Sequence, residues 1–415
     1  MNWRERSPSE TRFETLSVTC GEKAKTGPDA VGDVTVPIHL SSTFAVEGID
    51  PEADLLSLDP DANEYVYSRL SNPTRNAVEK RLAALEGGDV AFAFASGTAA
   101  IATVAMATLT PGDHVVAFDD LYGGTKAMFT LLLPERLGVD VTFVDARDPE
   151  NVRDAMQENT RLVWMESPTN PLLHLCDVAA IADIAHEHGA LLGVDNTFLS
   201  PYFQQPLALG ADVVVHSTTK YLNGHSDSMG GVAITNDPDL TTQLTFLQQI
   251  GLGNMLSPFD SYLLLRGIKT LPMRMRQHAE NAQAVAQFLE THELVERVYF
   301  PGLNSHPQAD LAHRQMSGPG GVVTAVFKGD LETVEQFVAE LDEFTFAVSL
   351  GGVESLVEHP ATLTHSELTP EERENLGITD TLLRFSVGVE HEADLLADLE
   401  SALDAVRDRV VTTAD

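Results

Sequence analysis

The 415-residue sequence predicts an α/β fold, a doubly wound and mostly parallel sheet, with an N-terminal arm ahead of it and a smaller C-terminal α+β domain behind it. Three observations predict this. Short strands that are apolar throughout alternate with helical stretches; the pattern changes to long helical runs near residue 255; and the first 60 residues are turn-rich and aperiodic. The arm, 1–65, carries turn residues in GPDAVGD and DPDAN and needs a larger body to dock on. In the domain from 66 to 265, a helix near 75–87 precedes AFAFASG, a helix from about 98, HVVAFDD, a helix near 124–137, VDVTFVD and RLVWMESP. A helix near 178–188, ALLGVDNTF and GADVVVHSTTK complete the alternation. Strands without a polar face belong to a parallel sheet covered by helices on both sides. From 266 to 415, connecting helical sequence (PMRMRQHAENAQAVAQFLE) leads to VVTAVFKG, a helix near 330–342, FTFAVSLGG, LLRFSVGVE and an amphipathic helix from about 391. That mixed order fits an α+β unit.

Composition narrows the function. Lys and Arg number 26 against 62 Asp and Glu, a formal charge of −36 spread along the chain. Nucleic acid is disfavoured as a partner, because phosphate neutralisation needs clustered cations. So acidic a surface repels itself at low salt and points to a salt-adapted, halophilic cytoplasm. The two cysteines, Cys20 and Cys176, give neither a disulfide framework nor a Cys-based zinc site, and a reducing compartment suits them. The N-terminus is polar, and no apolar run approaches the ~20 residues a membrane helix needs. A cytoplasmic enzyme without membrane attachment is the expectation. The 14 histidines show no metal-ligand spacing, so no metal is expected.

Certain residues stand out chemically. In GADVVVHSTTKYLNGHSD an apolar strand ends in hydroxyls and one lysine, Lys220. It reads either as a solvent-facing lysine past a strand end or as a Schiff-base lysine, whose amine must shed its proton to attack an aldehyde. Asp195 ends another apolar strand and, alone, suits a helix cap or turn. A pyridoxal enzyme, however, needs a carboxylate against the pyridine nitrogen, and ligands of open α/β sheets bind beyond the carboxyl ends of the strands. Ser96, Gly97 and Thr98 form a strand-to-helix turn that serves as an anion cradle or as a plain N-cap. Ser217 and Thr219 offer hydroxyls beside Lys220. Tyr122, before two glycines in DDLYGGT, can lie over a flat ring. No GxGxxG, GxxxxGK[ST], GxSxG or HExxH is present, which weakens dinucleotide, P-loop, hydrolase and zinc-protease readings.

With these residues in view, the chain resembles the γ-subfamily of fold-type I pyridoxal-phosphate enzymes, the cystathionine γ-lyase, cystathionine γ-synthase and methionine γ-lyase group. The resemblance runs from about 14 to about 407. It rests on YSRLSNPTRNAVEKRLAALEGG, FASGTAA, DDLYGGT, ESPTNP, DNTF, HSTTKYLNGHSD, RGIKTLPMRM, PGLNSHP, SLGGVESL, HPATLTH and LLRFSVGVE, in the family order. It implies an aspartate-aminotransferase-like fold, with pyridoxal phosphate as cofactor on Lys220, Asp195 at the pyridinium and Tyr122 stacked on the ring. It further implies that Ser96, Gly97, Thr98, Ser217 and Thr219 hold the phosphate and that Thr197 joins the cofactor set. Tyr67 and Arg69 would reach that phosphate from a neighbouring subunit, in a dimeric catalytic unit within a homotetramer. Arg384 would clamp the substrate carboxylate in bidentate fashion, with Ser349, Thr364 and Asn170 supporting the carboxylate and ring oxygen. Tyr122 is also the implied acid or base near the leaving group.

The implied reactions are γ-elimination of cystathionine to cysteine, 2-oxobutyrate and ammonia or, alternatively, γ-replacement of an O-acylhomoserine by cysteine. Gly124 stands where methionine γ-lyases typically carry cysteine, and their lysine-aspartate pair is missing from FLQQIGLGNMLSP, which disfavours that activity. Val348 and Ala127 replace a glutamate and an arginine of many cystathionine γ-lyases, with Lys126 a possible substitute for the arginine. PGLNSHPQADLAHRQMSG and RGIKTLPMRMRQH are closer to the γ-lyases, and that is the expected activity. A non-catalytic relative would have lost Lys220, Asp195 or Arg384, and all three remain.

Overall fold

The computed structural model describes residues 11–22, 32–46, 48, 64–366 and 369–413. The DPDAN turn and most of GPDAVGD lie outside the described residues. Within the arm, Phe13–Thr19 is a short helix packed on helix Pro73–Glu86.

The large sheet holds seven strands: β1 Val90–Phe94, β2 His114–Phe118, β3 Asp140–Val144, β4 Thr160–Glu166, β5 Leu191–Asp195, β6 Val213–Ser217 and β7 Gly231–Thr235, in the order β1-β7-β6-β5-β4-β2-β3. Pairings from β6 through β5, β4 and β2 to β3 are parallel, and β7 runs antiparallel to both its neighbours. Six strands therefore deliver their carboxyl ends to one edge. Val115, Val116, Val163, Val194 and Val214 are buried at the centre, as expected for a sheet covered on both faces. GVAIT was not among the expected strands. Because β7 returns beside β6, the intervening residues 218–230, Lys220 included, must turn at the carboxyl edge.

Local signals set the flanking helices. Pro73–Glu86 starts with Asn72 accepting from the Thr74 and Arg75 N–H groups and stops at Gly87 with φ 77°. The expected helix near 124–137 is a regular turn, Gly123–Ala127, that widens into a π-helical segment, Met128–Leu137, around Pro134, which has no N–H for a regular ladder.

The second sheet comprises β8 Val295–Tyr299, β9 Val322–Phe327, β10 Thr345–Phe346, β11 Leu356–Glu358 and β12 Leu382–Ser386, ordered β10-β11-β12-β9-β8. Helices Leu271–Thr291 and Glu392–Thr413 pack beside it, and Phe327, Phe337, Phe344 and Phe385 make ring contacts in its core. Of FTFAVSLGG only two residues join the sheet; the chain then leaves it, reaching φ 102° at Ser349. No helix among the described residues is long and apolar enough to cross a membrane, and none of their His, Cys, Asp and Glu side chains cluster to hold a metal.

Candidate active site

The chemistry-bearing residues meet where the carboxyl edge of the large sheet faces the second sheet. Lys220 follows β6 in a turn that buried Arg274 fastens, donating to the carbonyls of Tyr221 (2.8 Å) and Leu222 (3.4 Å). Its Nζ donates to Ser349 Oγ at 2.6 Å. Burial, then the positive charge of Arg384, lowers the Lys220 pKa to about 8, with Glu358 pulling the other way.

Asp195 ends β5 and is buried. Its Oδ1 accepts from the Thr197 N–H (3.0 Å) and hydroxyl (2.5 Å), while Oδ2 makes no hydrogen bond among the described residues. Burial raises the carboxyl pKa and the Thr197 donors oppose the rise. Thr197 Oγ1 also accepts from Ser217 N–H at 2.8 Å, tying the ends of β5 and β6 together.

At the end of β1, Ser96 caps helix Gly97–Thr108 by accepting from Ala99 N–H at 3.0 Å. The N–H groups of Gly97 and Thr98 open the helix with no partner among the described residues, as helix starts do. A side chain at 97 would stand 3.0 Å from Ser217 Cβ, so glycine lets the turn close against β6. The Thr219 hydroxyl is engaged with Gly230 (3.1 and 3.3 Å).

Tyr122 is half exposed, and its ring lies over Gly124, where a Cβ would come within 2.6 Å of Tyr122 Cε1. Its N–H donates to Glu166 Oε2 at 2.9 Å. Glu166 ends β4 directly opposite Asp195 in the ladder, and burial, followed by the Asp195 charge, drives its pKa well above the usual range. Sequence reasoning missed Glu166; its signal was an acidic residue closing an apolar strand next to one ending in Asp195. Lys126 turns to the Asp119 carbonyl (2.7 Å) and the face of Phe143.

Arg384, on β12, is fully surrounded. Nη1 donates to Asn170 Oδ1 at 2.7 Å and pairs with Glu358 Oε1 at 3.0 Å, Nη2 donates to the Ser349 carbonyl at 2.7 Å, and Nε is buried without a hydrogen-bond partner. The Nε side of the fork is the free one. Thr364, expected to help hold a carboxylate, directs its hydroxyl to Glu358 Oε1 at 2.9 Å, so its route to Arg384 runs through Glu358. Tyr67 and Arg69 stand apart from this group: Tyr67 bridges to Thr43, and Arg69 stacks near the Tyr67 ring and donates to the Gln249 carbonyl.

Pyridoxal phosphate makes three demands: an amine that sheds its proton near neutrality, a buried carboxylate with an oxygen to spare, and N–H donors for a phosphate. Lys220, Asp195 Oδ2 and the Gly97–Thr98 turn beside Ser217 meet them, so the residues fit the group.

Comparison with known proteins agrees. A family model described as Cys/Met metabolism PLP-dependent enzyme matches residues 14–404. Cystathionine gamma-lyase of Dictyostelium discoideum is 47% identical over 96% of this chain and 99% of that protein, and cystathionine beta-lyase of Coxiella burnetii is 46% identical over 95% and 98%. The crystal structure of cystathionine gamma synthase from Xanthomonas oryzae pv. oryzae in complex with cystathionine superposes with a TM-score of 0.90 at 42% identity, covering 96% of this chain and 99% of that one. On this evidence the chain belongs to the Cys/Met metabolism PLP-dependent enzyme family, and pyridoxal phosphate is its cofactor.

Proposed function

We propose that this enzyme is a cystathionine γ-lyase, releasing cysteine, 2-oxobutyrate and ammonia. The observation that carries this reading is the convergence of Lys220 Nζ and Arg384 Nη2 on Ser349, at 2.6 Å from its hydroxyl and 2.7 Å from its carbonyl. A proton-transferring amine thus stands beside a carboxylate clamp, as an α-amino acid losing its Cα proton requires.

Bound pyridoxal phosphate supplies an electron sink for charge left on the substrate carbons. Asp195 Oδ2 would face the pyridine nitrogen, and the N–H groups of Gly97 and Thr98 would hold the phosphate with the Ser217 hydroxyl. Thr219 and Thr197 brace the same turn. Arg384 takes the substrate α-carboxylate on its Nε–Nη2 edge, with Asn170, Ser349 and, through Glu358, Thr364 fixing the guanidinium. Lys220, with its pKa near 8, would remove the Cα proton and then a Cβ proton, so that charge at Cβ can expel the γ-sulfur. Tyr122 hands a proton to the departing sulfur. Tyr67 and Arg69 complete the phosphate site of a second subunit in a homotetramer built of active dimers, in a salt-rich cytoplasm.

A second reading, cystathionine γ-synthase, is favoured by Val348: an apolar, half-exposed residue beside Ser349 suits an acyl ester. Product analysis separates the two. The holoenzyme in high salt is given cystathionine alone, then O-acylhomoserine plus cysteine. Faster release of cysteine and 2-oxobutyrate from cystathionine is the expected result; faster cystathionine formation overturns the γ-lyase reading.

A further inference from the structure

Glu358 was not singled out by its sequence, and no step above uses it directly. It ends β11, directly opposite Arg384 in the antiparallel β11·β12 ladder, so the two side chains form a cross-strand pair. Both are almost completely buried. Glu358 Oε1 pairs with Arg384 Nη1 at 3.0 Å and accepts from Thr364 at 2.9 Å, while Oε2 is buried without a hydrogen-bond partner. Such a carboxylate, seated in a dry core, is retained by the guanidinium it neutralises.

We propose that Glu358 is a specificity-determining countercharge: by neutralising Arg384 inside the fold, it weakens and thereby sets the affinity of the site for an α-carboxylate. This rests on the reading of Arg384 as the carboxylate clamp. Geometry divides the guanidinium in two. Nη1 is held between Asn170 and Glu358, which aims the fork, while the unpartnered Nε beside Nη2 is the edge a carboxylate takes. Glu358 does not touch that edge, whose Nη2 donates only to the Ser349 carbonyl, and still neutralises Arg384 from the other side. A substrate carboxylate must share Arg384 with an anion already in place, and binding brings two like charges near one cation.

The other charged groups near the pair do not cancel this effect. Lys220, from the large domain, adds a cation on the side of Ser349. Glu166, on β4, adds a more distant carboxyl whose proton affinity burial raises. His365, next to Thr364, stays neutral, since burial lowers its pKa to about 4. Removing the Glu358 charge therefore leaves Arg384 a stronger carboxylate binder, and the substrate is retained more tightly without any gain in turnover.

The test uses holoenzyme and two probes that differ by one carboxylate, glycine and methylamine, titrated through the change each makes in cofactor absorbance. In Glu358→Gln, glycine is expected to bind at least fivefold tighter with methylamine unchanged, and with cystathionine KM falls while kcat does not rise. Glu358→Met, uncharged and of similar length, repeats the measurement independently of the amide. Arg384→Ala is the control and should abolish the preference for glycine over methylamine. If that preference survives in Arg384→Ala, the clamp reading itself fails. If Arg384→Ala loses it but both Glu358 variants bind glycine as the wild type or more weakly, the clamp stands and the countercharge is overturned.

Discussion

Lys220 is predicted to destabilise the protein it serves. An amine with an ordinary pKa of 10.5 titrates at about 8 in the folded, cofactor-free chain, because burial and Arg384 disfavour its charge. Each pH unit of that fall is worth about 1.4 kcal/mol, so below pH 8 folding forfeits about 3 kcal/mol to keep the residue in place. The sign follows from proton counting. Between pH 8 and 10.5 the unfolded chain holds the proton that the folded one has released, so wild-type stability rises with pH there, and the penalty vanishes above 10.5. Lys220→Met removes the titrating group at a loss of about 1 kcal/mol for the hydrogen bond to Ser349. Cofactor-stripped Lys220→Met should thus be about 2 kcal/mol more stable than wild type at pH 7, in denaturant unfolding at fixed high salt, and most of that gain should be gone by pH 10. A variant no more stable at pH 7, or an advantage that persists at pH 10, refutes the argument.

Substitutions at two further positions probe the seat of Tyr122. Gly124→Ala puts a methyl where Tyr122 Cε1 lies 2.6 Å away, so the half-exposed ring must swing; turnover should fall roughly tenfold while helix propensity holds stability level or raises it by up to about 1 kcal/mol, as kinetics and thermal unfolding would report. Glu166→Gln keeps an acceptor for the Tyr122 N–H and should alter unfolding by less than about 1 kcal/mol, whereas Glu166→Ala strands that donor and should lose about 1–3 kcal/mol along with turnover. Equal losses in both variants would mean that the Glu166 charge, rather than its acceptor oxygen, is what matters.

The alternation of apolar strands and helices made the large sheet legible, since a strand buried on both faces leaves a continuous apolar run such as VVV at 213–215. β7 was less so: GVAIT is equally apolar, and periodicity carries no sign of direction, so its antiparallel return was hidden. β11 is three residues long and mostly hidden among turn signals, too short for any period to register. Lys220, Asp195 and Arg384 were legible because they sit in long motifs or stand as charges against apolar strands. Glu166 and Glu358 were not. In isolation each is an acidic residue at the end of a strand, a position where caps and turns abound, and only the register that puts Glu166 opposite Asp195 and Glu358 opposite Arg384 gives them a role.

That register has an energetic reason. A large-sheet edge carrying Glu166 and Asp195 is short of positive charge, while the second sheet brings Arg384, a cation in excess of what a dry interior tolerates alone. Glu358 settles most of that excess within its own sheet, and the rest acts across the junction, where Arg384 contributes to the low proton affinity of Lys220 and moderates the rise at Glu166. The Lys220 amine therefore comes from the edge of the large sheet, and part of its low proton affinity from the second sheet. Only a chain in which both sheets are in place presents Lys220 next to Ser349 and Arg384 with its reduced proton affinity, which makes the junction of the two sheets, and not the Lys220 segment alone, the unit on which the candidate site depends.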